Sequence, residues 1–130
     1  MKKYSKEWVL QDTINFYTLK NRALDSTDKC SYLTEDEKRC AIGRYLKKGQ
    51  EEDLLKCGES VSTFINDSFF EKSIPKWMFE LPIRFLQDIQ ILHDCEVNWT
   101  NTGLSEKGIE KVEEICEEHR IDFESLTIKQ

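Results

Sequence analysis

The stretch SEKGIEKVEEICEEHR, residues 105–120, decides the fold class of this chain. Ile109, Val112, Ile115, Cys116 and His119 recur at the three- and four-residue spacing that gathers side chains on one side of an α-helix. Ser105 is placed to cap the first turn, and Leu104 before it to staple onto Ile109. The positions left over hold Glu106, Glu110, Glu113, Glu114, Glu117 and Glu118, so one helix carries an apolar inner stripe and a negative outer face.

Moving upstream, Asn98 to Gly103 reads as a polar loop carrying Trp99. Before it, Phe85, Leu86, Ile89, Leu92 and His93 line one side of a central helix from Ile83 to Cys95, with Pro82 in its first turn. Ser60 to Phe79 is strongly apolar, yet Asn, Asp, Ser and Pro75 interrupt its period, which predicts broken helix. Glu51 to Cys57 reads as a short helix closed by Gly58. Thr34 to Glu37 has capping-box spacing and opens a helix with Cys40, Ile42, Tyr45 and Leu46 inward and Gly49 at its end.

At the start of the chain, Ser5 caps a helix predicted to run from Lys6 to Leu24, with Tyr4 stapling onto Val9. Leu10, Ile14, Tyr17 and Leu24 form its inner stripe, and Asp25 to Asp28 ends it. The expected fold is therefore mainly α: a compact single domain over residues 1–130, a bundle of about five helices, with one short extended segment near residues 30–33. No internal repeat or interdomain linker divides it.

Composition narrows the function classes. The net charge is −6, and phosphate-backbone affinity comes from Lys and Arg displacing counterions, so direct nucleic-acid binding is not expected. The Met1-Lys2-Lys3-Tyr4 start has no continuous apolar stretch behind it, and no run approaches bilayer length; the expected location is the cytoplasm, away from membranes. Cys30, Cys40, Cys57, Cys95 and Cys116 are odd in number and scattered, which reads as reduced thiols and not a disulfide framework. Gly43, Gly49, Gly58, Gly103 and Gly108 never form a phosphate-cradling loop after a strand.

Three constellations carry candidate chemistry. His93-Asp94 resembles the metal-binding pair of the HD phosphohydrolases, but the second histidine, His119, follows the pair instead of preceding it. His93, Cys95, Cys116 and His119 are residue types that zinc prefers, although His93 and Cys95, two apart, point to nearly opposite sides of a continuous helix. A cysteine nucleophile, Cys40 or Cys95, with His93 or His119 as base, has no local support, because Cys40 sits beside Ala41 and Ile42 in an apolar setting that favours the inert thiol. The expectation is thus no cofactor, with zinc as the alternative, and a structural role for these side chains.

The large electrostatic feature is the last helix. Glu110, Glu113, Glu114, Glu117 and Glu118, together with Trp99, form the candidate partner-binding surface. Trp77, Phe79 and Trp99 fall near breaks in the helical pattern, where aromatic rings mark a contact surface if they cluster but more often close the ends of a small helical core. The function these features suggest is a small, non-enzymatic interaction or inhibitor protein whose partner is another protein. The alternative is a metal-binding protein or hydrolase using His93, Asp94, Cys95, Cys116 and His119. A homo-oligomer joined through apolar residues of the Ser60 to Phe79 region is a third expectation.

Cys40-Ala41-Ile42-Gly43-Arg44, followed by Leu86 to Asp94 and Trp99, resembles a pattern in small bacterial and phage proteins. In those, a Cys-Ala-Ile/Val-Gly turn precedes a helix ending Leu-x-x-x-His-Asp; here the leucine, Leu92, adjoins His93. The resemblance covers about half the chain and brings no assigned activity. It implies a phage or mobile-element origin and, by analogy, action through binding a host protein.

Overall fold

The computed structural model describes residues 1–19, 45 and 75–128. These are mainly helical, with one small two-stranded ribbon. Helix α1 spans Lys6–Phe16, α2 Ile83–Asp94 and α3 Glu106–His119, while strands β1 (Trp99–Thr100) and β2 (Gly103–Leu104) lie between α2 and α3. The helices predicted around Thr34–Gly49 and Glu51–Cys57, and the extended segment at 30–33, lie outside the described residues, apart from Tyr45. Among the described residues no helix is long and apolar enough to cross a membrane.

Helix α1 starts as the sequence predicts, with the Ser5 hydroxyl accepting the Trp8 N–H at 3.2 Å. Tyr4 packs on Trp8 (ring centroids 5.1 Å apart) and stacks on Trp77 (4.5 Å, planes 8° apart). That position has φ 65°, a left-handed conformation costing an ordinary residue roughly 1 kcal/mol, which ring stacking offsets.

The predicted continuation to Leu24 is overturned: α1 ends at Phe16, and Tyr17 is extended. The reason lies far away in the chain. Tyr17 is buried edge-on against His93 (4.8 Å) and Trp99 (6.1 Å), and the Leu19 N–H donates to the Thr100 carbonyl at 2.8 Å. Leaving the helix exchanges one local ladder bond for a bond to the ribbon and the burial of an aromatic ring.

Before α2, Pro75 is extended and Lys76–Glu80 forms a 3-10 turn, consistent with an interrupted period; the rest of the Ser60 to Phe79 reading lies outside the described residues. Helix α2 buries Phe85, Leu86, Ile89, Leu92 and His93, the predicted stripe, and also Asp88. The chain then departs from the predicted loop. Glu96–Asn98 forms a 3-10 turn, and β1 pairs antiparallel with β2, Trp99 opposite Leu104 and Thr100 opposite Gly103. The ribbon closes because the Thr100 hydroxyl accepts the Thr102 N–H (3.3 Å) and donates to the Gly103 carbonyl (3.2 Å), with Gly103 at φ 151°.

Helix α3 begins where predicted. The Ser105 hydroxyl accepts the Gly108 N–H at 3.1 Å and donates to the Val97 carbonyl, and the Ser105 N–H donates to the Asn98 carbonyl at 2.9 Å. A Cβ built at Gly108 would lie 2.1 Å from the Asn98 oxygen and 2.8 Å from Leu104 Cδ2. Only glycine lets α3 approach this turn so closely. The helix stops at Arg120, in the left-handed region (φ 57°, ψ 43°), where the N–H groups of Arg120 and Ile121 both reach the Cys116 carbonyl. The three helices and the ribbon share one core, with Leu10, Phe85, Leu86, Ile89, Leu92 and Val112 fully buried.

Candidate functional site

The inner and outer faces of α3 separate as the periodicity predicts. Val112, Ile115, Cys116 and His119 are buried, Ile109 is half-buried, and all six glutamates are exposed. Three of the six are neutralised: Glu110 by Lys107 (3.8 Å), Glu114 by Lys111 (3.4 Å) and Glu118 by Arg84 (3.3 Å). Glu106, Glu113 and Glu117 pair with no cation among the described residues. Glu113 and Glu117 are four apart on one face, a like-charge spacing that costs helix stability by a few tenths of a kcal/mol.

Trp99 does not belong to that face. It is 4% exposed, and its indole N–H donates to the Leu92 carbonyl at 2.9 Å, an oxygen that also accepts the Asn98 side-chain amide at 3.1 Å. A buried tryptophan with its N–H satisfied is a core residue that ties the ribbon to α2. Trp77 is half-buried against Tyr4 and Tyr45, and Tyr45 also meets Trp8 and donates its hydroxyl to Asp12 at 2.6 Å; Phe79 is exposed.

The histidines and cysteines are brought to different places. His93 is buried on α2 with Nδ1 2.9 Å from the Asp94 carboxylate and its ring edge on Tyr17. Cys95 is exposed just beyond α2, whereas Cys116 is buried on α3. Burial first, and then the negative charges of Asp122, Glu113 and Glu7, push the Cys116 thiol up to about 11, so it is protonated and unreactive at neutral pH. Cys40 lies outside the described residues.

Among the described residues, the metal-ligating types that converge in a group of three are Asp88, Glu118 and His119, with ligand atoms within 4.8 Å of one another. The quartet of His93, Cys95, Cys116 and His119 is not assembled, and His93 and Asp94 stand apart from His119's group. The physical reason is phase: His119 faces α2 beside Asp88, while His93, five residues further along α2 than Asp88, faces Tyr17 just beyond α1.

His119 Nε2 lies 2.7 Å from Asp88 Oδ2, both side chains are almost fully buried, and the ring packs edge-on against Phe85. Arg84 reaches over from solvent to Asp88 (3.5 Å) and Glu118 (3.3 Å). Two carboxylates and an imidazole suit a divalent cation, but here a guanidinium already supplies positive charge between the carboxylates. The bonds in place make a lock joining α2 to α3.

No protein-family model matches the chain, and no curated protein or solved structure is detectably similar to it.

The segment after α3 is a feature that helical periodicity does not reveal. Asp122 caps a 3-10 turn at Phe123–Ser125 by accepting the Glu124 N–H at 3.1 Å, and Ile121 is buried. Gln11 of α1 then holds the backbone of Thr127 at both ends: its amide donates to the Thr127 carbonyl (2.8 Å) and its oxygen accepts the Thr127 N–H (2.7 Å). Ile121, Phe123, Leu126 and Ile128 alternate at a two-residue spacing within each pair, a signal for extended packing that a helical template overlooks.

Proposed function

We propose that this protein is a non-enzymatic interaction protein that captures a basic surface of another protein on the outer face of α3. The observation that carries the reading is a set of carboxylates, Glu106, Glu113 and Glu117, that meet no cation among the described residues, on a helix whose opposite side is anchored in the core. Exposed charge held on a rigid element speeds encounter with an oppositely charged partner and rejects acidic ones. An inhibitor that imitates nucleic acid is a variant of the same reading, in which the basic surface is a nucleic-acid-binding cleft.

The test is affinity capture with the wild-type chain and with Glu113→Lys/Glu117→Lys, each checked by circular dichroism. Basic proteins recovered by the wild type, released by raised salt and lost with the folded variant are the expected result. Equal recovery by both chains removes the acidic face from the account.

A further inference from the structure

We infer that the hollow between α3 and the Phe123–Ile128 segment is a docking slot for a basic amphipathic helix of a partner protein. This rests on the reading of α3 as an acidic capture face and gives its partner a chemistry. Ile109, Phe123, Leu126 and Ile128 are all half-buried and line a hollow of about 280 Å³, with Glu113 and Glu124 exposed at its rim. Neither glutamate pairs with a cation among the described residues. An apolar floor with a negative rim matches a ligand presenting apolar side chains flanked by Lys or Arg. A second copy of this chain would bring the same rim against itself, and nucleic acid would bring phosphates against it, so charge selects against both.

Two further features favour a helix over an added strand. The Thr127 N–H and carbonyl, which would offer a backbone edge, are already taken by Gln11. Beyond Ile109 lies a second hollow of about 450 Å³, bounded by Thr100, Thr102, Leu104, Ser105 and Glu106. Ile109 lines both hollows, so a ligand with apolar residues at successive helical turns can occupy one and then the other. The Gln11 clamp and the Asp122 cap set the wall before a partner arrives, which reduces the ordering cost of binding.

The test uses the full chain and two labelled peptides of about 18 residues built from Leu and Lys. In one peptide the leucines recur at helical spacing on one face; in the other the same residues are scrambled around the helix. Fluorescence anisotropy is expected to show the periodic peptide binding roughly ten-fold tighter than the scrambled one, a preference that Leu126→Asp removes and Gln11→Ala weakens. Should Leu126→Asp fail to fold, Glu124→Lys provides the same test from the exposed rim, by lowering affinity for the periodic peptide more than for the scrambled one. Equal binding of both peptides, lost on Glu113→Lys/Glu117→Lys, overturns the slot and leaves the acidic face standing. Binding of neither peptide overturns both.

Discussion

The two sides of α3 make opposite demands on sequence. At its first turn, on the inner side, the backbone of Gly108 presses on the Asn98 carbonyl so closely that not one extra carbon fits. On the outer side, Glu113 and Glu117 touch no cation among the described residues and expose like charges to solvent, against the interest of the helix. The difference teaches where each kind of free energy resides. The junction of α2, ribbon and α3 has no room for a further atom, whereas the outer face is solvated and can carry charge at little cost.

The comparison breaks most directly at Gly108. Gly108→Ala should destabilise the protein by about 3 kcal/mol, at the upper end of overpacking costs, because the obstacle is backbone and not the end of a flexible side chain. Urea unfolding measures it. A loss below about 1 kcal/mol would mean that the junction yields, and that α3 is no more committed on its inner side than on its outer one.

A medium effect sharpens the comparison through pH. The Cys116 thiol has an ordinary value of 9.0 and is raised to about 11 in the folded chain. Between those values the unfolded state loses the proton while the folded state keeps it, so stability is complete below pH 9 and declines as pH rises towards 11. A decline of about 1 kcal/mol between pH 8 and pH 10.5 is expected, below the full conversion of the shift because three of its causes are carboxylates acting partly through solvent. The Cys116→Ala chain, less stable at pH 8, should lack that share of the slope. An identical slope in both chains would place the alkaline loss elsewhere.

The smallest effect is expected where the two faces meet, at the end of α3. Arg120 holds the left-handed position that glycine occupies without strain. Arg120→Gly should therefore stabilise by roughly 0.5 kcal/mol, read as a small rise in melting temperature, with peptide and partner capture unchanged. A fall would show that the Arg120 side chain contributes more than its backbone strain costs.

Much of the described structure is legible in the sequence. The caps at Ser5 and Ser105, the inner stripe of α2 from Phe85 to His93, and the division of α3 into apolar and acidic faces all follow from interactions within one or two turns. The candidate site was legible only in its charge. Trp99 looked like a loop aromatic because nothing local reveals that the Leu92 carbonyl, seven residues earlier, will accept its indole N–H. Nothing local marks Asp88 on its helix, since its partner His119 is 31 residues away.

Local chemistry alone accounts for the helical class of α1, α2 and α3, for where α2 and α3 begin, and for which side of α3 is negative. Periodicity and capping are local, and their physical range is a turn or two of chain. Only the tertiary structure decided that α1 stops at Phe16, that His119 locks to Asp88 and not to His93, and that the residues after Arg120 become the wall of a groove. Those outcomes depend on hydrogen bonds and burial between segments brought together by folding: Gln11 and Thr127 are 116 positions apart in the chain and bonded at both ends of one backbone unit.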